Sequence, residues 1–350
     1  LKATAIAPAN IAFIKYWGRS NHEKFLPLST TNSMNLASCT AKTTVEFATN
    51  YEHDEIVIIA PNTKGEILQP QDGDKSAELF KTLERLRQLA GVEYKARVRS
   101  ELNFPFKAGI ASSAAGMAAF ATAVLTALDK RELVADLKEL SRQVRLVGSV
   151  SAARSVADGF TEAILTADQT DCYVEQIAGP DHWDLVDVVA VVGEQQKKTS
   201  TSQGHLLAET SPFLPARIEY LQAETIKLAS DRLVNRAEAV KQSILNKDFD
   251  MLASLSETDA LNMHSVMITS TPPVFYLSPG SVKLIELVWN LRQQGLPVFF
   301  TFDAGPNAHL ITLKKHAAEL EKILQATEFV QYTISNEAGV GVRLVSEHLF

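Results

Sequence analysis

The hydrophobic pattern divides the chain into blocks of short alternating segments and blocks of helical ones. Residues 2–7 read as a strand ending at Pro8, and residues 40–47 and 55–59, β-branched and partly alternating, predict two more. Residues 15–35, rich in Ser, Thr and Asn, read as a loop. Residues 74–89 place Leu79, Leu83, Leu86 and Leu89 at helical spacing, and residues 94–102 alternate like a strand. An Ala-rich helix is predicted over 117–128 and an amphipathic one over 131–147. A nearly continuous Val-rich run, 184–192, marks a strand buried on both faces and opens the second half. Helices follow at 215–228, 232–244, 248–262, 281–294 and 315–327, with strands at 297–302, 309–313 and 329–334. Strands and helices come in blocks and seldom alternate one for one, which predicts an α+β fold.

Composition narrows the function classes. The 350 residues suggest two domains at about 150 residues each. Hydrophobic residues at 46% and charged residues at 21% are ordinary for a soluble globular protein. A net charge of −7 argues against general nucleic-acid binding, so an anionic ligand would need a locally basic site. Cys39 and Cys172 form no Cys-x-x-Cys pair, and the eight His residues form no His-x-x-x-His spacing, which argues against a zinc site. A reduced, cytoplasmic protein without a leader is expected. Residues 108–128 are uncharged over a length that could cross a bilayer. Their Ala, Ser, Gly and Thr content instead predicts a loop and then a buried helix.

The small-residue turn Pro105-Phe-Lys-Ala-Gly-Ile-Ala-Ser-Ser-Ala-Ala-Gly116 carries the first chemical signal. Such a turn brings backbone N–H groups to a phosphate, and the helix N-terminus adds about half a positive charge. Ser112 and Ser113 supply hydroxyls for phosphate oxygens or Mg²⁺. No Gly-Lys-Ser/Thr follows, so this is not a P-loop, and by itself the run reads as readily as a helix cap.

Three further segments change that balance: Ala7-Pro-Ala-Asn-Ile-Ala-Phe-Ile-Lys-Tyr-Trp-Gly18, Gly148-Ser-Val-Ser-Ala-Ala-Arg-Ser155 and Phe300-Thr-Phe-Asp-Ala-Gly-Pro-Asn307. With the Ser-Ser turn and the Asn103-Phe-Pro105 before it, they resemble, in order and over nearly the whole chain, the mevalonate diphosphate decarboxylases of the GHMP kinase superfamily. The resemblance implies a two-lobed α+β fold. The N-terminal lobe, 1–183, would carry a mixed sheet and the phosphate loop. The C-terminal lobe, 184–350, would be ferredoxin-like with added helices, its terminal segment packing back on the first. It implies ATP and Mg²⁺ as cofactors, mevalonate 5-diphosphate as substrate, and a cytoplasmic homodimer without nucleic-acid or membrane partners. The implied reaction is phosphorylation of the 3-hydroxyl, then loss of that phosphate with CO₂.

The same resemblance distributes roles. Gly109, Ala111, Ser112, Ser113, Ala114 and Ser151 would hold ATP, with Ser113 near Mg²⁺. Arg154 would grip the substrate carboxylate with its planar fork. Asp303 would sit by the 3-hydroxyl as base or charge stabiliser, and Lys15 would pair with it or neutralise the transferring phosphoryl group. Tyr16, Lys75, Ser149 and Ser151 would touch substrate, with Trp17 packed nearby. The Lys197-Lys198 loop would close near the nucleotide, while His264 is expected to pack or cap. Read locally, Asp303 is a turn aspartate, Arg154 half of a surface ion pair, and Ser149 and Ser151 caps. Three positions depart from the family pattern. Lys75 stands for an arginine of an Asn-Glu-Arg segment, keeping charge but losing the fork. Ala157-Asp-Gly159 stands for Phe-Gly-Gly, and Ile110 for Leu. A phosphomevalonate decarboxylase, a non-decarboxylating GHMP kinase and a ligand sensor remain as alternatives.

Overall fold

The structure is a computed structural model describing residues 1–61, 65–72, 74–105, 112–193 and 199–350. The first half runs β1 (Lys2–Ala12), β2 (Thr31–Ala48), β3 (Glu55–Ile59), β4 (Glu66–Leu68), α1 (Asp74–Ala90), β5 (Lys95–Leu102) and α2 (Ser112–Ala127). Then come α3 (Arg131–Ala135), α4 (Leu137–Val147), α5 (Val150–Ala153), β6 (Phe160–Leu165) and β7 (Cys172–Ala178). The second half continues with β8 (Leu185–Val191), α6 (Thr201–Leu207), α7 (Leu214–Gln222), β9 (Ile226–Lys227) and β10 (Leu233–Val234). It ends with α8 (Arg236–Asn246), α9 (Phe249–Ile268), α10 (Pro279–Gln293), β11 (Val298–Phe302), β12 (Ala308–Leu313), α11 (Lys314–Gln325), β13 (Tyr332–Glu337) and β14 (Arg343–Val345).

The first sheet has the order β14-β1-β2-β5-β3-β4, with β6 and β7 joined to the other end of β2. The pair β3–β5 is parallel and the rest antiparallel, so the sheet is mixed. β1 continues past Pro8: the register slips between Pro8 and Ala9, and β14 pairs β1 only as far as Ile6. A residue lacking N–H is tolerated at such a bulge. β2 begins at Thr31, inside the segment that reads as a loop. Its first residues pair with β6 and its later ones with β5. The helix expected over 131–147 is split because Asp136 caps α4, accepting from the backbone N–H of Lys138 and Glu139.

α2 lies on β1 and β2, and its buried face is largely alanine: Ala114, Ala115, Ala118, Ala119, Ala121 and Ala123. Side chains of that size let helix and sheet approach closely. Gly148 extends the close contact, since a Cβ there would stand 2.8 Å from Met117 Cβ and 2.9 Å from Ala152 Cβ.

The second sheet, β11-β12-β8-β13, is antiparallel throughout. With α10 and α11 it has the split β-α-β ferredoxin-like topology, and α6–α9 are additions. Val186, Val188, Ala190, Phe300 and Phe302 pack on α10 and α11. Val189, Val191, Phe299 and Ile311 join a core that runs on through α8 and α9 to β1, β2 and α2. Both faces of β8 are therefore covered, which accounts for its unbroken Val-rich sequence. β14 returns to the first sheet, where Thr4 Oγ1 meets His348 Nδ1 at 2.7 Å. Asp158 ties down the same return by accepting from Gly341 N at 2.7 Å. The helix expected over 215–228 stops at Gln222, and a β9–β10 hairpin follows. α9 runs on to Ile268, and the final strand of this sheet is shifted to β13.

Candidate active site

Lys15 and Asp303 come from opposite lobes and meet. Lys15 follows the end of β1, Asp303 follows β11, and Lys15 Nζ donates to Asp303 Oδ1 at 2.8 Å. The lysine side chain is 2% exposed and the aspartate 27%, so the carboxylate alone keeps an open side. Burial lowers the Lys15 pKa against the opposing pull of Asp303. Burial also works against the Asp303 charge, but Lys15, His309 and Arg154 together outweigh it and hold this carboxyl below the usual range. Asp303 is thus ionised at neutral pH, and its carboxylate accepts from the Lys15 ammonium.

Arg154 is buried behind the same centre. Its guanidinium donates to Asn10 Oδ1 at 3.3 and 3.2 Å and to Thr31 Oγ1 at 2.8 Å. Burial pushes its pKa down to about 10, which leaves it charged at pH 7. None of the ion pairs among the described residues includes it, so this is no surface salt bridge. Its hydrogen-bond acceptors among the described residues are all neutral, and Asp303, the carboxylate that acts on it from a distance, is already paired with Lys15, which leaves room in the local charge balance for an anion. Asn10 also donates to Ser151 O and Ser155 Oγ, locking β1 to the start of the Arg154 turn. Ser149 caps α5, its Oγ accepting from Ala152 N at 3.4 Å.

A cleft of about 330 Å³ reaches Tyr16, the residue after Lys15, and Ser151, three before Arg154. Tyr16, Ser149, Ser151, Ser112 and Ser113 line it, whereas Lys15, Arg154 and Asp303 lie beyond its described wall. Helix α2 begins at Ser112, earlier than the sequence suggests, so both serines sit in its first turn with Ser112 and Ala114 buried and Ser113 exposed. Gly109, Ala111 and the Lys197-Lys198 loop lie outside the described residues, as does the side chain of Lys75. Ser200, Thr201 and Gln203 line the cleft from the second lobe.

Several groups at the site carried no role in the sequence reading. Arg19 lines the cleft, donating through Nε to Tyr16 Oη at 2.8 Å and lying over the Phe25 ring. Burial pushes the Tyr16 hydroxyl up to about 12. His205 is buried between the Tyr16 and Trp17 rings at centroid distances of 4.4 and 4.6 Å. Burial, with Arg19 and His22 adding to it, takes its pKa well below 6.5, so the imidazole is neutral. His264 is packed, as expected, with its pKa pushed down to about 3 by burial and nearby Lys15. His309 Nδ1 meets Asp187 Oδ2 at 2.6 Å with neither residue exposed. Arg217 and Asp259, equally buried, surround the Lys15 backbone. Arg217 reads locally as an ordinary helix-surface arginine and Asp259 as one polar position of an amphipathic helix. Only Asn10, inside the first motif segment, carried a visible signal.

No cluster of three His, Cys, Asp or Glu able to hold a metal occurs among the described residues. No helix among them is long and apolar enough to cross a membrane.

A two-lobed α+β fold of the GHMP kinase type, with an ionised carboxylate, two buried cations and a serine-lined cleft between helix starts, defines an enzyme built for phosphorylated small molecules. Residues 7–174 match the diphosphomevalonate decarboxylase-like N-terminal domain, and residues 187–340 the mevalonate 5-diphosphate decarboxylase C-terminal domain. The chain is 36% identical to a diphosphomevalonate decarboxylase of Candida albicans over 87% of this chain and 83% of that protein. It superimposes with a TM-score of 0.83 and 31% identity on the mevalonate diphosphate decarboxylase of Enterococcus faecalis, covering 99% of both chains. A structure described as MDDEF in complex with MVAPP, AMPPCP and magnesium gives a TM-score of 0.84 at 31% identity, again over 99% of each chain. The chain belongs to the diphosphomevalonate decarboxylase family.

Proposed function

We propose that the protein converts mevalonate 5-diphosphate and ATP to isopentenyl diphosphate, ADP, phosphate and CO₂. The observation that carries this reading is the buried Arg154 cation, whose hydrogen-bond partners among the described residues are the neutral Asn10 and Thr31, set near an ionised Asp303–Lys15 pair. A decarboxylating enzyme needs a fixed cation for the substrate carboxylate in addition to groups at the reacting hydroxyl. A simple kinase needs only the latter.

Each residue then has a task. Arg154 holds the substrate carboxylate in register with the hydroxyl. Asp303 faces the 3-hydroxyl, where its depressed pKa suits it to stabilising charge more than to taking up a proton. Lys15 offsets the charge that develops on the transferring phosphoryl group. The 3-oxygen attacks the γ-phosphorus, the bond to ADP breaks, and the hydroxyl proton leaves to solvent past the open side of Asp303 as the phosphoryl group is transferred. The C3–O bond then breaks with loss of phosphate, and the electrons of the C–CO₂⁻ bond form the alkene as CO₂ departs. Tyr16, Lys75, Ser149 and Ser151 contact the substrate. Gly109, Ala111, Ser112, Ser113, Ala114 and Ser151 hold the nucleotide at the start of α2, where the helix dipole favours anions. The sparse acidic donor set fits a Mg²⁺ that arrives on the nucleotide phosphates, with the exposed Ser113 hydroxyl as the neighbouring donor; the ion neutralises phosphate charge. A cytoplasmic homodimer completes the reading and agrees with Cys39 and Cys172 being unpaired.

The test is to incubate the protein with Mg-ATP and, separately, mevalonate, its 5-phosphate and its 5-diphosphate, following CO₂, ADP and phosphate. CO₂ released fastest from the diphosphate is the expected result. Faster turnover of the monophosphate, or ADP without CO₂, would overturn it.

A further inference from the structure

Lys15 lies beyond the last ladder residue of β1, so no strand neighbour meets its backbone polar groups although the residue is buried. The second lobe meets both. Lys15 N donates to Asp259 Oδ2 at 2.7 Å, and Arg217 Nη2 donates to Lys15 O at 3.1 Å. Arg217 Nη1 also reaches Asp259 Oδ1 at 3.1 Å and bonds Asn262 Oδ1, and neither Arg217 nor Asp259 is exposed at all. A fully buried ion pair is seldom more stabilising than apolar packing of the same volume, so its placement calls for another reason.

That reason lies along α9. Asp259 fixes the Lys15 backbone, and His264, five positions further, packs edge-on against the ring of Phe302, the residue that leads into Asp303. The two anchors are about 7.5 Å apart along the helix axis at 1.5 Å per residue. One rigid helix thus references both members of the Lys15–Asp303 pair, although Lys15 belongs to the first lobe.

We infer that Arg217 and Asp259 are positioning residues, which clamp the Lys15 main chain so that its ammonium meets Asp303 and the transferring group in register. The inference rests on the reaction proposed above. Neither residue touches substrate, so their loss reads out in kcat and leaves KM alone. Asp259→Asn removes the charge that Lys15 N and Arg217 share. It should lower kcat about 100-fold, the scale of a small misplacement at a reacting centre. KM for both substrates should stay within about threefold. Leu252→Ala, a buried cavity variant on the same helix, serves as the control matched for loss of Tm, and its kcat should hold within about threefold. Arg217→Lys keeps the charge and loses the fork, and should give the same split with a smaller kcat loss if Asp259→Asn does not fold. An unchanged kcat in a folded variant, or an equal kcat loss in the Leu252→Ala control, overturns the inference. Wild-type protein releasing no CO₂ refutes the reaction itself. Active wild-type protein with unaffected clamp variants refutes only the clamp.

Discussion

Asp303→Asn is the sharpest perturbation of this site. The substitution keeps the shape and removes the charge that faces Lys15 Nζ at 2.8 Å. Removing one partner of a fully buried ion pair costs about 3–5 kcal/mol, whereas an exposed pair is worth about 0–1. Lys15 is buried and Asp303 is about a quarter open to solvent, so the expected loss of stability is intermediate, about 2 kcal/mol. Catalysis should suffer more. With no carboxylate at the 3-hydroxyl, and with the lysine ammonium no longer held by its partner, kcat should fall by about 10²–10⁴. Asp303 is not among the residues that line the serine cleft, so ATP binding should be nearly unchanged. Single-turnover CO₂ release measures the first effect, nucleotide titration the second and denaturant unfolding the third. An Asn variant that keeps kcat near the wild-type value refutes the assignment of Asp303.

Other consequences follow from the same geometry. Arg154→Gln should reduce kcat/KM by about 10²–10³, as truncation of a buried charged contact costs about 2–5 kcal/mol. Arg154→Lys should fall between, because lysine cannot bond Asn10 and Thr31 with one fork; steady-state kinetics on both variants decides this. Gly204→Ala would place a Cβ 2.6 Å from the Trp17 ring and 2.8 Å from Tyr276 Oη, and should cost about 1–3 kcal/mol by urea unfolding while weakening ligand binding at the cleft. The pH dependence has a definite sign. Asp303 has a folded-state pKa below its unfolded value, so its contribution is complete above about pH 4 and is lost as pH falls through the folded pKa. The stability gap between wild type and Asp303→Asn should therefore be constant near neutrality and shrink in acid; a gap that widens in acid contradicts the depressed carboxyl.

Strongly periodic elements are legible in the sequence alone. The Val-rich β8, the Leu-spaced α1 and the Ala-rich α2 announce themselves because their own side chains are what is buried, although in α1 this holds for Leu83 and Leu86 and not for Leu89, which is exposed. The N-terminal part of β2 is different. Thr31, Asn32, Ser33 and Asn35 are polar yet almost wholly buried. Their partners are Arg154 for Thr31, Glu162 for Asn32, Thr161 for Ser33 and the Ala157 carbonyl for Asn35. Hydrophobic periodicity cannot register a strand stabilised by polar pairs from more than a hundred residues away, so this stretch, β6 and β7 stayed hidden together.

The residues with chemistry divide the same way. Lys15, Arg154, Asp303 and the serines stand in local motifs, and it is the resemblance of those motifs to a known family that implies the fold and the reaction. Nothing local to Pro215-Ala-Arg217 or to the middle of α9 says that these side chains hold the Lys15 backbone. A motif records which functional groups a site requires. Where each group stands depends on which buried donor meets which buried acceptor across two lobes, and that pairing exists only once the chain has folded.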